Sequence, residues 1–152
     1  MLANSIVLTS NGISFILAGE EFLRSKGGSD NSYNSPYSVN ELNYSLKIKN
    51  FDMFKNYQKL IKFKQNVDEL ALEDQFNTLL KVDSSLVNVI SYELDDKDGH
   101  KYKVFHVNGY RTNKPVIVDL EGWNLYLDTI NPYKELSNST MLIPYETLIA
   151  YK

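Results

Sequence analysis

Gly12-Ile13-Ser14-Phe15-Ile16-Leu17-Ala18-Gly19-Glu20-Glu21 is the stretch on which the fold turns. Ile13 to Leu17 form a run of apolar or near-apolar residues, set between two glycines and followed by a carboxylate pair. Polar and apolar positions do not alternate, so a half-exposed antiparallel strand is a poor fit. A short apolar run bounded by glycines suits a strand buried on both faces, as in the parallel sheet of an α/β protein. Ahead of it, within residues 2–10, Leu2, Ala3, Ile6 and Val7 fall on one helical face. Beyond a polar loop comes an amphipathic helix. Helix, buried strand, long loop and helix make one unit of a parallel α/β architecture. Such a strand needs parallel neighbours and covering helices. No second run of this kind occurs in the sequence, and Met1 falls inside the first helical pattern with no capping residue ahead of it. The expectation is the tail of a larger protein.

Residues 22–50 form a long polar loop, broken at Gly27-Gly28 and turned at Ser35-Pro36. Its tyrosines (Tyr33, Tyr37, Tyr44) and asparagines can pack and hydrogen-bond, which argues against simple disorder. A loop at the carboxyl end of a parallel strand occupies the side on which α/β barrels carry their active sites. Two readings stay open: a surface loop tied down by its own tyrosines, or a ligand-lining loop. Residues 51–65 read as a helix with Phe54, Tyr57, Leu60 and Ile61 in an apolar stripe. Lys55, Lys59 and Lys62 lie toward the other side, as a solvated face. A further short helix is expected at Leu72–Leu80.

From Leu86 the pattern changes to period two. Strands are expected at Val87–Leu94, Tyr102–Val107, Val116–Leu120, Trp123–Leu127, Thr140–Ile143 and Leu148–Tyr151. Turn signals separate them, among them Asp98-Gly99, Asn108-Gly109, Glu121-Gly122 and Asn131-Pro132. Short strands with tight turns predict an antiparallel β-sandwich. The expected fold class is thus α/β plus all-β.

Composition bounds the function. A chain of 152 residues can hold one domain with a real core, or a fragment plus a small domain. At 43% hydrophobic and 23% charged it reads as an ordinary globular protein. No apolar run reaches membrane-span length, and no signal peptide is visible, which favours the cytoplasm. The absence of cysteine rules out disulfides, thiolate metal sites and cysteine catalysis. A net charge of −3 gives no support for nucleic-acid binding. Residues 1–68 carry eight basic and six acidic side chains and residues 69–152 eight and thirteen, a shift that supports two structural regions.

Here a resemblance becomes specific. GISFILAGEEFLRSK (residues 12–26), followed by DNSYNSPYSVNELNYS (residues 30–45), resembles the end of the catalytic barrel in type I pullulanases of glycoside hydrolase family 13. The family's last barrel strand reads like GIPFI-x-AGEEF-LR-x-K and its loop like NSYNSPDSVN-x-LDW. DLEGWNLYLD (residues 119–128) is similar to the family's C-terminal domain strands. Ser14 stands where the family has proline, Tyr37 where it has an acidic residue, and Asn43-Tyr44 where it has Asp-Trp. The resemblance implies residues 1–66 as the end of a (β/α)8 barrel, 67–85 as a helical connector and 86–152 as a C-terminal β-sandwich. It implies a parent that hydrolyses α-1,6-glucosidic linkages, with α-glucan as the parent's ligand and the missing N-terminal part of the barrel as a partner. It places Asn31, Tyr33, Asn34 and Asn40 in the substrate cleft and Glu20, Glu21 and Arg24 at the barrel rim.

A retaining glycosidase needs two carboxyl groups about 5–5.5 Å apart. Glu20 and Glu21 are adjacent at a strand end and project to opposite sides, so they do not form that pair. The family draws its catalytic acids from earlier barrel strands, so no catalytic residue is expected within the chain. Glu20 reads as a loop anchor that accepts hydrogen bonds at the barrel rim, with direct sugar contact as the alternative. His100 sits in a turn and His106 on a strand, neither with an acidic or histidine partner at ligand spacing; no metal or cofactor is expected. Gly27-Gly28 lacks the spacing of a phosphate loop. Tyr92, Tyr102, Trp123, Tyr126 and Tyr145 could stack on sugar rings, or serve as ordinary strand residues. Two classes of function remain: the C-terminal part of an α-glucan debranching glycosidase, inactive alone, or a non-catalytic glucan-binding or structural module.

Overall fold

The computed structural model describes residues 1–67, 70, 82–83, 85–96, 98–110 and 113–152. Among the described residues, apolar segments and tight turns produce seven short strands: β1 (Val82–Asp83), β2 (Val89–Asp95), β3 (Lys101–Val107), β4 (Val116–Val118), β5 (Asn124–Asp128), β6 (Thr140–Leu142) and β7 (Thr147–Tyr151). Six match the period-two segments of the sequence; β1, two residues long, has no separate signal there. They form an antiparallel five-stranded sheet in the order β1-β2-β3-β7-β5 and a two-stranded sheet, β4-β6.

Because side chains alternate along a strand, the five-stranded sheet carries two apolar faces. Tyr92, Leu94, Tyr102, Val104 and Ile149 point one way, with Tyr92 opposite Val104 and Val104 opposite Ile149. Val89, Phe105, Val107, Leu148 and Ala150 point the other way and pack with Val118 and Leu142 of the small sheet. A bulge in β5 between Leu125 and Leu127 turns Tyr126 and Leu127 toward the first face.

The first face is covered by helices. α1 (Leu2–Leu8) and α4 (Phe51–Asn66) are joined by short elements, a 3-10 turn at Glu20–Phe22, α2 (Tyr37–Asn40) and α3 (Ser45–Lys49). α4 buries Tyr57, Leu60 and Phe63; the Phe63 ring meets Tyr102 edge-on at 5.1 Å. The expected stripe was Phe54, Tyr57, Leu60 and Ile61. Ile61 is instead exposed and Phe63 takes its place, because the buried line advances by threes from Tyr57. Phe54 is half-buried, with Lys47 Nζ 4.0 Å above its ring.

α1 also turns differently from expectation. Ser5, Leu8 and the following Thr9 are buried, whereas Ala3 and Val7 are exposed and Leu2 and Ile6 half-buried. The sheet opposite carries Tyr92 and His106, and Thr9, at the end of the helix, presents its hydroxyl to them. Thr9 Oγ1 lies 3.0 Å from His106 Nε2 and accepts from Tyr92 OH at 2.6 Å. Thr147 Oγ1 meets the other ring nitrogen at 2.9 Å.

The segment Ile13–Leu17 stands apart from both sheets. It has no sheet pairing among the described residues, and it is not buried: Ile13 is 79% and Phe15 89% exposed, with Leu17 exposed beside them. Only Ile16 packs against the helix-covered core. A strand is defined by hydrogen bonds to a neighbour, and no described strand lies alongside to supply them. The helix expected at Leu72–Leu80 lies outside the described residues.

Candidate functional site

The backbone turns sharply after Leu17. Gly19 adopts φ +98°, and a Cβ there would sit 2.7 Å from Arg24 Cδ, so the turn requires glycine. Its N–H donates to Glu21 Oε2 at 2.9 Å, and its carbonyl accepts from Arg24 N–H at 2.9 Å. Glu20 points elsewhere: its Oε2 accepts from Asn4 Nδ2 at 2.6 Å, and the same amide donates to Tyr57 OH at 2.5 Å. One carboxylate thereby ties the turn to α1 and α4. Burial, reinforced by Glu20 and Glu21, raises the pKa of the Tyr57 hydroxyl. Phe22 is buried under the ring of Tyr44, centroids 5.7 Å apart, and its carbonyl accepts from Asn50 Nδ2 at 3.0 Å.

Arg24 carries the loop above this turn. Its Nη1 donates to the Ala18 carbonyl at 3.3 Å and its Nη2 to the Asn40 carbonyl. The Asn40 side chain closes the loop: Nδ2 donates to the carbonyls of Ser32 (2.7 Å) and Ser35 (3.2 Å), and Oδ1 accepts from Ser32 Oγ at 2.9 Å. Ser32 Oγ also accepts from Lys26 Nζ at 2.6 Å. Of the four expected cleft residues, Asn31, Tyr33 and Asn34 are exposed together at the loop's tip, Tyr33 at 87%. Asn40 is half-buried and committed to holding the loop. Ser32, Lys26 and Asn4 do structural work that the sequence reading did not assign; a serine in an asparagine-rich loop and an asparagine among apolar helix positions were the available signals.

Glu20 and Glu21 are fixed on separate partners, Asn4 and the Gly19 N–H. The tyrosine rings and amides at the tip suit a polyhydroxylated ligand, which combines C–H faces with hydroxyl groups.

Two further titratable clusters lie on the sheet. His106 is buried between Thr9, Tyr92 and Thr147, and burial lowers its pKa to about 4, so the ring is neutral. It borders a cleft of about 340 Å³ lined also by Leu2, Ile6, Asn88, Val89, Ile90 and Asn108. His100 does have an acidic partner, contrary to expectation: Asp96 Oδ2 lies 3.0 Å from its Nδ1. Asp96, Asp98 and His100 present ligand atoms within 4.8 Å of one another. The Asp96 carboxylate is, however, engaged by the N–H groups of Asp98 and His100 and by Tyr102 OH, which is the bonding of a tight turn. Burial, with Asp96 next, pushes Tyr102 up to about 12.

No family model matches the chain. A segment of 46 residues, 30% of the chain, is 44% identical to pullulanase of Bacillus subtilis (strain 168), of which it covers 6%. Pullulanase from Anoxybacillus sp. LM18-11, solved with maltotriose, superposes over 99% of the chain with a TM-score of 0.80 and 26% identity. The chain resembles the C-terminal part of a pullulanase. Pullulanase from Bacillus acidopullulyticus gives the same picture, with 99% of the chain covered, a TM-score of 0.77 and 26% identity. The group B Streptococcus pullulanase SAP, at 17% identity and a TM-score of 0.76, shares the fold. The chain spans about a fifth to a quarter of these pullulanases: 22% of the Anoxybacillus chain, 20% of the B. acidopullulyticus chain and 27% of the streptococcal one.

Proposed function

We propose that these 152 residues are the C-terminal part of an α-glucan debranching glycosidase. Ile13–Leu17 supplies the last strand of a (β/α)8 barrel, and the loop from Gly19 to Asn50 forms part of the barrel's rim. The C-terminal strands, read as a β-sandwich, brace the barrel from outside. The observation that carries this reading is the exposed apolar run Ile13–Leu17 within a chain that superposes on pullulanases along 99% of its length. Solvated Ile13, Phe15 and Leu17 are stabilised when neighbouring strands and helices cover them, at about 25 cal/mol per Å² of apolar surface. The division at residues 66 and 86 belongs to the same proposal.

The acid and nucleophile come from the barrel portion outside these residues, and this chain contributes loop and scaffold. Asn31, Tyr33 and Asn34 reach the glucan; Asn40, Glu20, Glu21 and Arg24 hold the loop that presents them. The test is a chimera in which this chain replaces the matching C-terminal fifth of the B. acidopullulyticus enzyme. Reducing-sugar release from pullulan is expected from the chimera and none from the isolated chain. In the chimera, Tyr33→Ala is expected to weaken maltooligosaccharide binding by about 1–3 kcal/mol. A folded chimera without hydrolysis, or turnover by the isolated chain that a substitution within it abolishes, overturns the reading.

A further inference from the structure

Five aromatic residues of the C-terminal half are sugar-stacking candidates by sequence; the structure buries or half-buries four and exposes one. Tyr92 is buried against His106, and Tyr102 under Phe63. Tyr126 packs into the helix-covered core, edge-on to Tyr102 and Tyr151. Trp123 is half-buried and has Lys103 Nζ 4.8 Å and Lys152 Nζ 5.9 Å from its ring centroid. Tyr145 alone is open to solvent, at 55%.

Tyr145 is unusual in its backbone as well. Its φ is +68°, a left-handed conformation that bulky L side chains rarely adopt and that asparagine or glycine takes readily. A strained aromatic residue in an exposed turn points to a use for the ring. The turn is fixed from beneath. Tyr145 N–H donates to the Val107 carbonyl at 3.0 Å, and the buried Glu146 accepts from Ile143 N–H at 2.8 Å and pairs with Lys134. The ring lies over Gly109, where a Cβ would come within 2.3 Å of its Cε2, so only glycine leaves it this place. The next residue, Tyr110, is 84% exposed, with its N–H held by Asn108 Oδ1 at 2.9 Å. Gly109 thus carries the Tyr145 ring and is followed in sequence by a second exposed tyrosine, and the turn beneath Tyr145 is locked. A fixed aromatic surface loses little freedom on binding, and the C–H face of a pyranose packs against such rings.

We propose that Tyr145 and Tyr110 form a docking site for an α-1,4-linked glucan chain. The choice of glucan rests on the debranching-enzyme reading; the existence of the platform does not. The test is calorimetric titration of the full 152-residue chain with maltoheptaose, and with cellohexaose as the β-linked comparison. Maltoheptaose is expected to bind. Tyr145→Asn and Tyr110→Ala should each weaken it about tenfold. The urea midpoint of Tyr145→Asn should not fall, because asparagine accepts the left-handed turn. Should Tyr145→Asn fail to fold, Tyr110→Ala carries the same test without touching the strained position. No binding by the parent chain, unchanged binding in the folded variants, or equal binding of cellohexaose overturns the proposal. Binding lost in Tyr33→Ala but kept in both platform variants also overturns it, and leaves the loop's role standing. A chimera that hydrolyses pullulan while Tyr145→Asn changes nothing removes the platform and keeps the enzyme reading.

Discussion

His106 shows how one buried side chain sets a pH response. In the folded chain it titrates at about 4, against about 6.5 when solvated, because burial disfavours the imidazolium. The unfolded chain therefore binds a proton between these values and the folded chain does not. The stabilisation is fully present above pH 6.5 and is lost as pH falls toward 4, about 3 kcal/mol in all. Glu146 works in the opposite sense: burial, with Asp128 adding to it, raises its pKa, so its contribution is lost as pH rises. The His106 part is isolated by difference. Urea midpoints of the parent and of His106→Gln, compared at pH 7.5 and 4.5, should show the parent losing more stability on acidification. Parallel losses in both proteins would remove the assignment.

At the scale of elements, α4 holds the helices to the sheet through Phe63, which touches Tyr102 and Tyr126. Phe63→Ala should cost about 3–5 kcal/mol in a urea titration. It should also shift helix and sheet signals together, since the apolar cluster contains α1, α4, β2, β3, β5 and β7. Two separate transitions would mean that the helices unfold on their own. Period-two alternation made six strands readable from sequence because each strand shows its own burial pattern. The face of α1 was not readable in this way. Thr9 looks like a solvent position until Tyr92 and His106, more than 80 residues away, are placed opposite it. Ile13–Leu17 has the composition of a strand, but pairing belongs to two segments and cannot be read from one. In the loop, the tip residues were legible as a group. The inward role of Asn40 depends on the carbonyls of Ser32 and Ser35, which only the folded loop brings within reach.

For the whole molecule, the apolar row Ile13, Phe15 and Leu17 sets the solution behaviour. An unpaired backbone edge bearing exposed apolar side chains promotes association. Sedimentation of the isolated chain should show mass rising with concentration, and Phe15→Ser should reduce the rise. Amides of residues 13–17 should exchange fast in dilute solution, and those of β2 and β3 slowly. A monomer at all concentrations with slow amides in both places would show that the chain completes its own fold.

The hydroxyl–imidazole contact between Thr9 and His106 also bears on how such proteins can be recombined. A designer who moves only the strands from Leu86 onward onto a foreign scaffold separates His106 and Tyr92 from the Thr9 hydroxyl. The buried imidazole then loses a hydrogen-bond partner and the sheet loses its cover from α1 and α4. The unit that can be exchanged intact runs from Leu2 to Tyr151, so a crossover point belongs before α1, not between the last long helix and the sheet.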